Sequence, residues 1–448
     1  MNAPRGLPQM PRSTNADTIL RMSEGIMQES DRARTIGYIC ARFPSMTETF
    51  VYNEVLKLRE QHVDIKVFSI HRPMPETLSS ETHALTQGTF YAFPLRIIQF
   101  GMAHLYFLLV KPLRYSYIIL TFVVAKNITD IRGMRRTLWH FLEAVCIAHE
   151  SRKQRISHHH AHFATGPAGV AMFVSILNGT TFSFTIHAAD LFSDKLLLKD
   201  KVRLAKFIIT ISHYNKQTLL RQCPEATPEK IQVVRCGVDL DTFQPNRSRR
   251  GEGVRLLSVG RLVEKKGFVY LVHACKVLKE RGYSSQCIII GDGPDRPVLE
   301  HLIVELHLQE DLTLVGSVIH ESMREHYENA DIFVLPCVIA RDNDQDGIPI
   351  VLMEAMAMEL PCVSTSVSGI PELIEDMRSG LLVEPRNVKA LADAIEKLIR
   401  NERLRNELGK NGRNKVFNDF NIEHSTDRLA EIFGGLVVEG AKEAGIRA

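Results

Sequence analysis

Val254-Arg-Leu-Leu-Ser-Val259-Gly260-Arg261-Leu-Val-Glu-Lys265-Lys266-Gly267 reads as a short apolar strand, a glycine-bounded cationic loop and the entry to a helix spanning 267–281. The pattern then repeats, with strand-like runs at 285–290 and 312–315 around a helical period at 295–308. It continues with strands at 332–335, 362–365 and 381–384, a helix holding Glu354, and helices at 388–400, 402–416 and 422–433. Upstream, strands at 35–40, 64–70, 156–163, 181–186, 207–212 and 231–236 alternate with helical stretches that begin at 49–60. Such alternation predicts an α/β fold with parallel sheets covered on both faces. Two consecutive series imply two Rossmann-like parallel-sheet domains facing a cleft, with ligands beyond the carboxyl ends of the strands. The expected organisation is a disordered tail at 1–33, a first Rossmann-like domain at 34–236, a linker at 237–253 and a ligand-binding domain at 254–420. A last helix at 421–448 is expected to pack back on the first domain.

Composition narrows the function. A chain of 448 residues, 45% hydrophobic and 24% charged, is ordinary for a soluble protein of two or three domains. Its net charge of +3 is too small to mark a nucleic-acid binder. Eight scattered cysteines without metal-site spacing read as thiols of a reducing cytoplasm. Residues 1–33 are polar and lack the apolar core of a signal peptide.

Several loops carry groups suited to a phosphorylated ligand. Arg261 and Lys266 stand beside a helix start, where backbone N–H groups and fixed cations can hold a diphosphate and stabilise it as it departs. Alone, such a loop is equally a solvated turn. Asp346-Gly-Ile-Pro-Ile-Val-Leu-Met-Glu354-Ala-Met-Ala brackets a turn and a helix entry with two acids, Glu354 being placed about two turns inside. These acids suit sugar hydroxyls, or are simply a helix with an acidic start. Gly291-Asp-Gly293-Pro294 allows a close backbone approach, and Ser368-Gly369-Ile370 offers N–H donors after a strand. His187, at the carboxyl end of the 181–186 strand, can donate to a sugar hydroxyl or carry charge near leaving oxygens, unless it is a core or capping histidine. His158, His159, His160 and His162 crowd one strand, but its alternation splits them between faces and no acid or cysteine lies at useful spacing, so no metal site is expected.

Residues 93–125 are unusually apolar, interrupted by Arg96, Lys111 and Arg114. Ten Lys or Arg stand against three acids between Tyr91 and His160. The segment 91–136 therefore reads as peripheral contact with an anionic membrane surface, or as two core helices with a basic flank.

Taken together, Phe43-Pro-Ser-Met-Thr-Glu48-Thr-Phe50, His160-Ala-His162-Phe, Thr185-Ile-His187-Ala-Ala-Asp190, Cys236-Gly-Val-Asp-Leu, Gly260-Arg261 with Lys266, Gly291-Asp-Gly-Pro and the Asp346 to Glu354 element resemble the retaining GT-B glycosyltransferases of family 4. The likeness is nearest their bacterial branch in exopolysaccharide assembly, of colanic acid and amylovoran type, and covers most of residues 35–433. It implies transfer of a hexosyl group, with retention, from a nucleoside diphosphate sugar to a lipid-linked saccharide. The transfer would occur in the cytoplasm at the inner membrane surface, with no required cofactor and no metal. The donor diphosphate would fall to Arg261 and Lys266, supported by Gly291, Gly293, Ser368, Gly369 and Ile370. Glu354 would take the ribose, and His187 and Asp346 would serve catalysis at the transferred sugar. Thr47, Glu48 and Asp190 are candidates on the acceptor side. No protein nucleophile is implied. Two features depart from the family pattern: Asp346 replaces a glutamate, and Met46-Thr-Glu-Thr replaces a Gly-Gly pair. A nucleotide-sugar epimerase of similar fold, or a non-catalytic donor-binding scaffold, shares the same phosphate site.

Overall fold

Seven strands build the first sheet: β1 (Ile36–Arg42), β2 (Ile65–His71), β3 (Phe90–Tyr91), β4 (His158–His162), β5 (Thr181–Ile186), β6 (Ile208–Thr210) and β7 (Ile231–Val233). Six build the second: β8 (Val254–Val259), β9 (Ser285–Ile290), β10 (Leu312–Gly316), β11 (Ile332–Leu335), β12 (Cys362–Thr365) and β13 (Leu381–Val383). Their spatial orders are β3-β2-β1-β4-β5-β6-β7 and β10-β9-β8-β11-β12-β13. Every strand pair is parallel. The protein is thus an α/β chain of two doubly wound parallel sheets. In each, strand order reverses at one point, between β1 and β4 or between β8 and β11, and a ligand crevice opens beyond the strand ends there. This computed structural model describes residues 35–45, 48–74, 80–94, 97–192, 195–245, 253–283 and 285–443. The expected tail at 1–33, the polar part of the linker at 246–252 and the acceptor-side candidate Thr47 lie outside the described residues.

Strands covered on both faces are normally continuous apolar runs, as in β11 (Ile-Phe-Val-Leu), all four residues of which are buried. β4 breaks that rule. Its sequence His-His-His-Ala-His is buried throughout, and buried polar groups need partners. Parallel register sets His158, His160 and His162 beside Thr181, Ser183 and Thr185 of β5. His158 lies 2.8 Å from the Thr181 hydroxyl and 2.7 Å from that of Ser183, and His160 bridges Ser183 and Thr185 at 2.7 and 3.0 Å. His159 points to the opposite face, near the Thr180 hydroxyl at 3.2 Å.

The apolar segment forms helices Ile97–Val110 and Pro112–Ile118, continued by Ile119–Val124, and two parts of it bend by 109°. Among the described residues no single helix is long and apolar enough to cross a membrane. One side packs on the first core through Ala103, Phe107, Ile118, Phe122 and Val123. The other side is apolar and in solvent: Ile97 is 82% exposed, Leu109 68% and Leu113 86%. The reading as two buried core helices therefore accounts for only half of this segment.

Candidate active site

The loop after β8 and the loop after β11 meet at the second sheet's reversal point, and their charges pair across it. Lys266 Nζ lies 2.8 Å from Asp346 Oδ2, while Lys265 Nζ lies 3.0 Å from Asp344 and 3.5 Å from Asp346. Burial alone would push the Asp346 carboxyl up, but Lys266 and then Lys265 outweigh it and hold the group below its usual range. Burial likewise pulls the Lys266 ammonium down, and Asp346 more than reverses that, so both partners stay charged. Arg261 is exposed at the rim of the same cavity.

Glu354 sits in the helix Ile350–Ala357, little more than one turn from its start, because Pro349 holds the entry residue extended. The expectation of two turns is corrected accordingly. The residue is 4% exposed, and its carboxylate accepts the Tyr327 hydroxyl at 2.7 Å. Gln345, also buried at the cavity wall, has a side-chain oxygen without a hydrogen-bond partner among the described residues. Nothing in the local sequence singled it out.

From the first sheet, His187 enters the cavity between two rings, 4.7 Å from Phe50 and 4.5 Å from Phe163 by centroid. Its Nε2 lies 3.1 Å from His162 Nδ1, and its Nδ1 faces the Cys236 sulfur at 3.9 Å. Burial, then the neighbouring His162, holds the His187 ring well below its ordinary pKa. That disfavours the expected positively charged role, and a donating role would have to displace an existing partner. His162 Nε2 in turn lies 3.0 Å from Glu54 Oε1. Glu54, His160 and His162 present ligand-type atoms within 4.8 Å of one another. Sequence spacing hid this acid because it comes from a helix 108 residues away.

The other candidates divide. Glu48 lines the cavity, and burial lifts its carboxyl above the usual range, partly offset by His162 and Arg42. Asp190 turns to its own loops: its two oxygens accept backbone N–H groups of Ala164, His187 and Ala188 at 2.7 to 3.3 Å. It organises the loop that presents His187. Gly291 lines the cavity with φ +139°, and any side chain there would strike the Gly260 carbonyl. Gly293 instead backs onto Leu262. Ser368, Gly369 and Ile370 do not line the cavity. Ile370 is fully buried, and Gly369 packs on Ile348 and Ser212.

The last contact belongs to a seam between the halves. A Cβ at Gly347 would come within 2.8 Å of the His187 carbonyl oxygen and of Ile211. Glu372, just beyond the Ser368 motif, accepts the backbone N–H groups of His213 and Tyr214 at 3.1 and 2.8 Å. It thus caps the first-domain helix His213–Gln222 alongside the N-cap Ser212. The cavity closed by this seam holds about 660 Å³ and joins Arg261, Lys265, Lys266, Asp346 and Glu354 on one wall to Glu48 and His187 on the other.

The family profile "Glycosyl transferases group 1" matches residues 241–415. The protein named "Putative colanic acid biosynthesis glycosyltransferase WcaL" of Salmonella typhimurium is 31% identical over 416 residues, covering 89% of this chain and 98% of its own. The chain belongs to the group 1 glycosyl transferases. The amylovoran biosynthesis glycosyltransferase AmsK of Erwinia amylovora is 29% identical to this group 1 glycosyl transferase over 428 residues, 88% and 98% of the two chains. A UDP-Gal:alpha-D-GlcNAc-diphosphoundecaprenol alpha-1,3-galactosyltransferase of Escherichia coli is 25% identical over 284 residues, 60% and 71% of the two chains. The crystal structure of Anabaena Alr3699/HepE in complex with UDP-glucose superposes with a TM-score of 0.67 at 14% identity, over 90% of this chain and all of the other. Its likeness confirms the GT-B fold. Within this group 1 glycosyl transferase the profile spans Arg261, Lys266, Asp346 and Glu354, while His187, Glu54 and His162 lie outside it.

Proposed function

We infer that this glycosyltransferase is a retaining enzyme of family 4 that moves a hexosyl group from a nucleoside diphosphate sugar to a lipid-linked saccharide in exopolysaccharide assembly. The observation that carries the reading is the single cavity in which Arg261, Lys265 and Lys266 face His187 across the strand ends. In this reading Lys266 exchanges Asp346 for the donor diphosphate, and the cations neutralise the charge that develops as the nucleoside diphosphate leaves. Glu354, held by Tyr327, takes the ribose, and Asp346 lies beside the transferred sugar. The seam at Gly347 and Glu372 excludes water from the reacting carbon. Relatives named for colanic acid and amylovoran biosynthesis support the pathway class, and the diphosphoundecaprenol galactosyltransferase supports a lipid-linked acceptor. UDP-, GDP- and ADP-sugars should each be incubated with and without membrane extract. Sugar release or transfer from one donor, dependent on extract, is expected. Epimerised donor formed without any acceptor, or silence with all three, would sink the reading.

We further infer that the exposed apolar face of 97–131 docks on the cytoplasmic face of an anionic membrane. Leu109, Leu113, Leu120, Ile128 and Ile131 stand in solvent, flanked by the exposed cations Lys111, Lys126, Arg132 and Arg135. Burying a leucine contributes about 1.5–3 kcal/mol. The double substitution Leu109→Asp and Leu113→Asp should therefore weaken binding to phosphatidylglycerol vesicles by about 100-fold or more in flotation assays. Both sites are exposed, so the fold should be unchanged. Equal flotation of the variant would refute the docking face.

A further inference from the structure

His187 is held by a row of side chains leading away from the cavity. Its Nε2 meets His162 Nδ1 at 3.1 Å, His162 Nε2 meets Glu54 Oε1 at 3.0 Å, and that same oxygen accepts the Tyr38 hydroxyl at 2.8 Å. Tyr38 and His162 are buried and their rings lie 5.6 Å apart, while the Glu54 side chain is 18% exposed.

The protons in this row can be assigned from its end. A carboxylate oxygen has no hydrogen to give. The Glu54 contact must therefore be filled by an N–H on His162 Nε2. Taken as a neutral imidazole, His162 carries one N–H, which leaves its Nδ1 as an acceptor. His187 must then donate from Nε2, and its Nδ1 keeps a lone pair. Across from that lone pair is the Cys236 sulfur, whose thiol burial pushes far up and keeps protonated.

We propose that Glu54 and His162 are positioning residues that fix His187 as its Nε2–H tautomer, so that its Nδ1 accepts a hydroxyl proton of the bound sugar. The sugar hydroxyl takes the place of the Cys236 thiol. This rests on the reading of His187 as a group contacting the donor sugar, and it reverses the direction of hydrogen bonding expected from sequence. The arrangement parallels the general rule that a hydrogen-bonded carboxylate sets which nitrogen of a histidine is protonated. His160 does not join the row, because both its nitrogens are occupied by the Ser183 and Thr185 hydroxyls.

The test reads tautomers directly. The whole enzyme, labelled with 15N at histidine, is recorded in long-range proton–nitrogen correlation spectra, with His162→Gln and His187→Gln used for assignment. Wild-type His162 and His187 should both carry the proton on Nε2. Glu54→Gln can present an amide N–H instead of an acceptor and should move both protons to Nδ1. Its turnover should fall by about 10-fold or more, while UDP and GDP binding, measured by calorimetry, stays within about two-fold. An Nδ1–H tautomer of His187 in the wild type overturns the proposal, even if the variant does not fold. So does a flipped tautomer with full turnover, or stoichiometric zinc on Glu54, His160 and His162 in the purified enzyme. If no donor supports turnover, the glycosyl-transfer reading fails, while the wild-type spectrum still decides the tautomer.

Discussion

Lys266→Ala should lower turnover by about 10²–10³-fold, the usual consequence of removing one preorganised charge from a developing anion. Its side chain is 13% exposed and held 2.8 Å from Asp346 at the cavity wall, so an arriving diphosphate meets a cation already in place and displaces the acid from it. Lys265 retains contact with Asp346 at 3.5 Å in the variant, so the fold should survive. UDP and GDP titrations together with single-turnover rates check the result, and unchanged nucleotide affinity would remove Lys266 from the phosphate site. Asp346→Asn separates two roles for the acid. If Asp346 only holds the lysines, nucleotide affinity should rise as its competition disappears. If it also contacts the sugar, turnover should fall at the same time.

The first domain should be acid-labile. His159 is pulled down to about 3 by burial, and His160 and His187 are also held well below their ordinary values. In the unfolded chain each takes up a proton near pH 6.5, so below that pH the unfolded state binds more protons and stability drops as pH falls. Each contributes about 1.4 kcal/mol per pH unit. Glu143 opposes one of them, since burial lifts its carboxyl to about 7 and the folded state then holds the extra proton. Glu48 and Asp190, also raised by burial, act with Glu143, while His71, His104 and His149, lowered by burial, add to the three histidines, so the balance is a loss of stability between roughly pH 6.5 and 4.5. Urea unfolding across that range, followed by far-ultraviolet circular dichroism, measures the slope. His159→Phe should flatten it by about one proton, and a flat wild-type profile would contradict the buried neutral ladder.

Much of the site was legible because loops at strand ends are local features. The loop from Gly260 to Gly267 and the Asp346 to Glu354 element could be placed from apolar periodicity and turn residues alone. The Ser368 motif is placed by contacts that periodicity does not contain. Gly369 packs on Ser212 and Ile348, and Glu372 just beyond caps a helix of the other half. Asp190 carries the same ambiguity, because a carboxylate in a loop can bind either a ligand or its own backbone.

The sequence by itself determined the parallel α/β class, the order of strands and helices along the chain, and the cationic and acidic loops. Each of these follows from side-chain alternation and helix-start chemistry within a few residues. Tertiary structure decided which distant groups meet. Strand order at the two reversal points sets Lys266 against Asp346 and Glu54 against His162, and the parallel register gives the β4 histidines their hydroxyl partners. Those pairings depend on which strands become neighbours, and a periodic pattern leaves that open. The proton positions around His187 follow from the pairings, which is why the direction of its hydrogen bond emerged only from the folded chain.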